Sequence, residues 1–198
     1  MQQPHETLRR SVTVDKVVNL FPSPLHIEGM VFNLNSIREE CYRRQNRPGR
    51  TVSNVGGYQS EEYFLPDPFF NDLFLKVEEV SNTLADYIGI GPCKMNNFWI
   101  NINHPGSINQ RHAHPKCKLS GAYYVKVPPN SGSIQFFNPS EKLIAREWES
   151  ERYTAYNAEV WRFEPKENEL FIFPSYLEHL VTQNLSNEDR ISISFNLI

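Results

Sequence analysis

Residues 190–197 alternate without exception: Arg190, Ser192, Ser194 and Asn196 interleave with Ile191, Ile193, Phe195 and Leu197. A period of two marks a strand with one face on an apolar core. Residues 97–103 behave the same way, with Trp99, Asn101 and Asn103 set against Phe98, Ile100 and Ile102. In both strands the polar face belongs either to solvent or to the interior of a barrel, and periodicity leaves both open. Short aromatic and β-branched runs separated by Pro, Gly, Asn and Ser predict further strands over 119–127, 133–138, 160–164, 169–174 and 179–183. An apolar run at 17–21, stopped by Pro22 and Pro24, predicts one more strand entering the fold.

Before residue 92 the spacing is helical. Leu34, Ile37 and Cys41 recur at three- and four-residue intervals within 33–46, with Asn33 or Asn35 available as N-cap and Pro48-Gly49 as terminator. A longer helix is predicted from Asp67 as N-cap and Pro68 as first helical residue. It runs through Phe70, Leu73, Phe74, Val77, Val80, Leu84, Tyr87 and Ile88 to Gly89 as C-cap. Helices followed by many strands predict an α+β chain in which the helices buttress a β-sandwich or barrel. The expected organisation is one domain over 1–198: mainly helical support over 1–92, then a β core over 93–198 interrupted by a charged insertion at 140–159. That insertion exceeds an ordinary connection and reads either as a lid over a substrate or as a solvated helix.

The 198 residues suit one domain with a sizeable core. Twenty Lys and Arg against 23 Asp and Glu give a net charge of −3, without the basic footprint that phosphate binding requires, which argues against nucleic acid as a partner. No apolar stretch approaches the length of a membrane span, and residues 1–15 lack an apolar signal region. Cys41, Cys93 and Cys117 are odd in number, far apart and without CxxC spacing, so a cytoplasmic, reducing location is expected. No glycine-rich phosphate loop occurs, which speaks against nucleotide hydrolysis.

Two of the six histidines change this bland picture. His112 and His114 are two residues apart, and on an extended segment that spacing turns both imidazoles to one face, where they can share a metal. A third ligand must come from elsewhere. His179, after the apolar run Phe171-Ile172-Phe173-Pro174, is the natural candidate. Arg190 opens the last strand beside Ser192. It is either a surface ion-pair partner or a guanidinium facing the interior, where it needs a fixed anion such as a carboxylate held by two parallel hydrogen bonds. His104, in an apparent Pro-Gly turn, and His5 and His26 lie outside this pattern.

The order of these features resembles the Fe(II)- and 2-oxoglutarate-dependent oxygenases. The likeness rests on paired histidines before Leu119-Ser120-Gly121-Ala122-Tyr123-Tyr124-Val125, the Gly132-Ser133-Ile134 segment, the distal His179 and Arg190-x-Ser192. With Gly56-Gly57-Tyr58-Gln59-Ser60, Phe173-Pro174-Ser175 and the ending 190–196, the chain is most similar to a bacterial and phage subgroup of that superfamily, from about residue 17 to 198. The resemblance implies a double-stranded β-helix, the jelly-roll of cupin-like proteins. It implies Fe(II) held by His112, His114 and His179, and 2-oxoglutarate as cosubstrate, with its far carboxylate on Arg190 aided by the hydroxyls of Tyr124 and Ser192. Asn101, Asn103 and Asn196 are expected behind these as second-shell donors, or as ordinary structural side chains; Tyr124 has a like alternative as a plain barrel aromatic. The reaction implied consumes O2, releases succinate and CO2, and hydroxylates a C–H bond of a small molecule or peptide side chain. One departure stands out: most relatives have a carboxylate two positions after the first histidine, and here that residue is His114, so that either all three histidines hold the metal or His114 turns away and a water completes the site. A small residue at that place goes with halogenation, so His114 argues against it. Two other readings remain open at this point: a three-histidine cupin-type dioxygenase that does not use 2-oxoglutarate, and a non-catalytic metal- or ligand-binding β-sandwich.

Overall fold

The computed structural model describes residues 17–143 and 149–198. Its elements in chain order are β1 (His26–Gly29), α1 (Leu34–Gln45), β2 (Asn54–Val55), β3 (Tyr58–Gln59), α2 (Asn71–Ile88), β4 (Met95–Asn103), β5 (Ile108–His112), β6 (Leu119–Lys126), β7 (Ile134–Phe137), β8 (Val160–Phe163), β9 (Glu169–Pro174), β10 (His179–Val181) and β11 (Arg190–Leu197). They form two antiparallel sheets. One has six strands in the order β1-β9-β6-β11-β4-β3, the other five in the order β2-β5-β10-β7-β8.

The alternation in β4 and β11 decides where each face goes. These strands pair in register, Arg190 opposite Asn103, Ser192 opposite Asn101 and Ser194 opposite Trp99. Ile191, Ile193, Phe195 and Leu197 join Phe98, Ile100 and Ile102 in a fully buried layer against α1 and α2. Phe74 of α2 meets Phe98 with ring centroids 4.3 Å apart and Phe195 at 6.0 Å. The polar face is also buried, because it turns toward the five-stranded sheet. Of the two readings of that face, solvent is excluded: it lies between two separate sheets. A second apolar cluster, including Phe136, Phe171 and Phe173, fills part of the space between the sheets.

Several expectations need adjustment. Residues 17–21 form no strand; Val17, Val18, Leu20 and Phe21 are exposed, since no neighbouring strand offers them a partner. The first strand is instead His26–Gly29, paired with β9. Asn33 caps α1 as expected, accepting from the backbone N–H groups of Asn35 and Ser36. Helix α2 begins at Asn71, four residues after Asp67. Asp67 caps the preceding turn through Phe69 N and Phe70 N while Arg44 of α1 holds its carboxylate by two bonds of 2.8 and 2.9 Å. Gly89 closes the helix with φ of 74°. The residues before 92 also supply three strands, one to the five-stranded sheet and two to the six-stranded one. Within the expected 140–159 insertion, residues 144–148 lie outside the described residues, as do 1–16 with His5. Among the described residues no helix is long and apolar enough to cross a membrane.

Candidate metal centre

The three histidines singled out by spacing converge between the sheets. His112 ends β5 and His179 opens β10, and the two are direct antiparallel partners. His114 lies past the end of β5 rather than on it. The loop that follows is pinned by a bond from His114 N to Ser175 O of 2.9 Å, which brings its ring back to the same place. Ring centroids are 4.4 Å apart for His112 and His179, 5.0 Å for His112 and His114, and 5.2 Å for His114 and His179. One nitrogen from each ring lies within 4.8 Å of the others, a grouping able to hold a metal ion.

Tautomers are set from behind. Nδ1 of His112 is 2.6 Å from Gln110 O, and Nδ1 of His179 is 2.9 Å from Leu177 O. A carbonyl only accepts, so each Nδ1 carries the proton and each Nε2 keeps a lone pair for the centre. Burial pushes the protonation of His179 down to about 3 and of His114 down to about 4, with neighbouring imidazoles adding to the effect, and it lowers that of His112 as well. At neutral pH all three are uncharged. Nε2 of His114 and Nε2 of His179 face each other at 3.4 Å. With the His114 proton on Nδ1, both atoms would offer lone pairs to a shared cation, and three imidazoles suit ferrous iron. Trp99 lies over His114 with centroids 5.6 Å apart, and Phe173 meets His179 edge-on at 4.7 Å.

The same cavity is lined by Tyr124, Ser192, Arg190 and Asn101. Arg190 is 1% exposed, which removes the surface ion-pair reading. Its Nη1 donates to Ser131 O at 2.5 Å, its Nη2 has no partner and no carboxylate faces it among the described residues. Desolvation lowers its protonation to about 10, with Tyr124 opposing, so it remains a cation at neutral pH. Burial likewise raises the Tyr124 phenol, which stays protonated. A buried guanidinium with an unused N–H demands an anion, and a dicarboxylate fits that demand.

The three asparagines part company. Only Asn101 reaches the cavity. Asn103 donates to Asn109 Oδ1 at 3.0 Å, and Asn196 is held between Ser120 Oγ at 2.8 Å and Asn97 Oδ1 at 3.0 Å. The sequence placed Trp99 and Ser194 on strands and Gly132 in a motif without giving any of them a part in the site. Gly132 has φ of 91° and a Cβ there would fall 2.6 Å from Thr182 O and 3.0 Å from Arg190 Nη1, so the glycine lets the Ser131 carbonyl reach the guanidinium. The Pro128-Pro129-Asn130 turn before it was the available signal. The Gln110 and Leu177 carbonyls had none, since any residue supplies one.

A family model described as "Putative 2OG-Fe(II) oxygenase" matches residues 97–196, half of the chain, and that stretch carries all three histidines, Tyr124, Arg190 and Ser192. The chain belongs to that family, and is thereby an enzyme that depends on Fe(II) and 2-oxoglutarate. A search of curated proteins finds no match. Among solved structures it is similar to a prolyl-4-hydroxylase from Pseudomonas putida, at 13% identity and a TM-score of 0.61 over 87% of this chain and 91% of that one. The non-haem α-ketoglutarate-dependent carbocyclase SnoK of nogalamycin biosynthesis aligns at 14% identity and 0.65, over 88% and 79%. HygX from Streptomyces hygroscopicus, solved with nickel and 2-oxoglutarate bound, aligns at 13% and 0.61, over 88% and 82%. At such identities the likeness is one of fold.

Proposed function

We propose that this oxygenase is a hydroxylase-type dioxygenase in which His112, His114 and His179 hold Fe(II) and Arg190, Tyr124 and Ser192 hold 2-oxoglutarate. The observation that carries it is the buried Arg190, with its unpartnered Nη2, in the same cavity as the three imidazoles. The two facing sheets support reading the fold as a double-stranded β-helix. The chain then works as one domain over 1–198, with its N-terminal 92 residues as support, a core over 93–198 and selectivity in the loops and the 140–159 insertion. Free thiols at Cys41, Cys93 and Cys117 accord with a cytoplasmic location.

When bound, ferrous iron and 2-oxoglutarate supply oxidative decarboxylation: O2 is consumed, succinate and CO2 leave, and one oxygen atom goes to a C–H bond of the substrate. The chain's own residues bind and orient. His112 and His179 present fixed lone pairs because Gln110 and Leu177 hold their protons. His114 takes the place of the usual carboxylate, leaving three neutral donors, so the negative charge that balances the metal comes from the cosubstrate. Arg190 anchors the far carboxylate and Ser131 O fixes its plane. Tyr124 and Ser192 add neutral hydroxyl donors, and Trp99, Phe136 and Phe173 keep water from the centre. The substrate is a small molecule or a peptide side chain.

Anaerobic Fe(II) with 2-oxoglutarate should give a visible charge-transfer band, and admitting O2 should yield succinate. Absence of both in folded, iron-loaded protein overturns the reading. Arg190→Ala should abolish 2-oxoglutarate binding while leaving metal binding intact.

A further inference from the structure

The six-stranded sheet continues one segment beyond β3. Gly49 bridges Ser60 in antiparallel sense and Arg50 N donates to Gln59 O at 2.8 Å, so Arg50 stands opposite Gln59. Gln59 pairs in turn with Asn101, Asn101 with Ser192 and Ser192 with Tyr124. Opposed residues of an antiparallel ladder share a face. Arg50, Gln59, Asn101, Ser192 and Tyr124 therefore form one row on the inner face of the sheet.

The row has two ends, and the cosubstrate accounts for one. Ser192 and Tyr124 lie at the Arg190 end. Gln59 is three strand spacings from Tyr124, about 14 Å, which a five-carbon dianion held by Arg190 does not span. Unmet polar groups recur there all the same. Glu62 Oε1 takes only Nη1 of Arg50, at 2.7 Å, and Nε of Arg50 is buried without a partner among the described residues. The other oxygen of Glu62 already accepts from Asn97 Nδ2 at 2.6 Å. What Arg50 has left is the edge formed by Nε and Nη2, one of the edges by which a guanidinium grips a carboxylate with two parallel hydrogen bonds. Gln59 beside it is 3% exposed, and its Oε1 also lacks a partner among the described residues.

Trp99 connects this end to the metal centre. The guanidinium carbon of Arg50 lies 5.9 Å from the centroid of its indole, and the His114 ring lies 5.6 Å from it. The Arg50 side chain is 25% exposed, so a ligand can reach it from outside while the cosubstrate is in place.

We propose that Arg50 anchors the substrate that is oxidised, and that this substrate carries a carboxylate beside a peptide-type amide: an N-acylated amino acid or the C-terminal residue of a peptide. The carboxylate takes Nε and Nη2 of Arg50. The neighbouring amide meets Gln59, and because a peptide unit offers both an N–H and a C=O, either orientation of the Gln59 side chain finds a partner. The substrate's own side chain then extends along Trp99 toward the three histidines. This rests on the oxygenase reading above and deepens it by naming the substrate class and the residue that selects it.

The test compares acids with their amides. The full chain, loaded with Zn(II) and saturated with 2-oxoglutarate so that Arg190 is occupied, is exposed to the N-acetyl derivatives of the common amino acids and separately to their C-terminal carboxamides. Binding is found by saturation-transfer NMR and measured by calorimetry. At least one acid should bind, and its carboxamide should bind at least about tenfold more weakly. Arg50→Gln should weaken the acid by about tenfold or more, and Arg50→Lys, which keeps the charge without the planar edge, should recover part of the loss. Affinity for 2-oxoglutarate should be the same in all three proteins, which separates a lost anchor from a damaged fold. The comparison of acid with carboxamide needs no variant, so it decides even where Arg50→Gln folds poorly. If no acid binds, if the carboxamides bind as tightly, or if folded Arg50→Gln binds like the wild type, the inference fails alone. If the Zn(II)-loaded wild type does not bind 2-oxoglutarate, the cosubstrate reading fails and takes this one with it.

Discussion

An imidazole offers a metal its lone pair only if the other ring nitrogen keeps the proton, and at His112 and His179 two backbone carbonyls impose that state. Removing a ligand should cost more than the roughly 10–100-fold in affinity that loss of an outer partner costs. His179→Ala and His114→Ala should therefore each lower Zn(II) affinity by more than about hundredfold, whereas His114→Asp, which restores a carboxylate, should retain binding. Equal affinity in His114→Ala and the wild type would remove His114 from the ligand set. Gly132 allows a different check. Its φ of 91° and the approach of Thr182 O mean that Gly132→Ala should destabilise the fold by about 1–3 kcal/mol. It should also weaken 2-oxoglutarate binding through Arg190, read by denaturant midpoint and by titration respectively. At this scale the side chains that the fold gathers around one cavity were legible: paired histidines, a lone distal histidine and an arginine opening a strand. What escaped was whatever acts through backbone or through contact between strands, such as the carbonyls behind the imidazoles, the indole of Trp99 on His114 and the Ser131–Arg190 bond.

Among the elements, strands with a strict period of two and helices with strong caps were legible because each carries its own signal. The strands His26–Gly29, Asn54–Val55, Tyr58–Gln59 and Ile108–His112 were not, being short or polar and made strands by their partners. The early N-terminus expected for α2 has the same origin. Asp67 has the right residue type for a cap, but its carboxylate is shared between the turn at Phe69 and Phe70 and the guanidinium of Arg44. Arg44 also bonds Glu40, so α1 is tied to the entrance of α2 by a buried cluster. Burial alone would raise the Asp67 carboxyl, yet Arg44 and the two backbone N–H groups outweigh it and hold it below its ordinary 3.8. The bond to Arg43, followed by Arg44 against desolvation, holds Glu40 below its ordinary 4.5. A depressed carboxylate contributes stability above its unfolded value and loses it as pH falls through the folded one. Stability of the metal-free protein should thus decline already below about pH 6.5, where the unfolded chain binds protons that the buried His112, His114 and His179 do not, and further below about 4, where the carboxylates add their loss. Asp67→Asn, which leaves Arg44 buried and underpaired, should cost about 3 kcal/mol at pH 7, and this gap should narrow below pH 4. Urea midpoints across that range decide it; a constant gap would mean that the carboxylate's charge plays no part.

At the scale of the whole molecule, the chain joins two sheets through a cavity that both line, so a ligand held there bridges them. Anything that binds the folded state alone raises stability by mass action, about 2.7 kcal/mol at a hundred times its Kd. For a chain of this size that corresponds to a rise in Tm of about 5–10 °C. Zn(II) should raise Tm, 2-oxoglutarate should add to the rise only when metal is present, and a chelator should reverse both; a Tm indifferent to all three would argue against the centre. The α+β architecture was legible in the order of helices and strands, and the inward turn of the polar faces was not, because a period of two reads the same for solvent and for an interior. The pairing of His112 with His179 across β5 and β10 carries one more consequence. These residues are far apart in the chain and become neighbours only when that ladder closes in its final register, since a slip of one residue would turn one ring to the opposite face. Metal capture during refolding is therefore a clock for sheet closure. Mixing a refolding chain with Co(II) and following the rise of its ligand-field colour would time the moment at which the second sheet locks, independently of the far-ultraviolet signal that reports helices and strands as a whole.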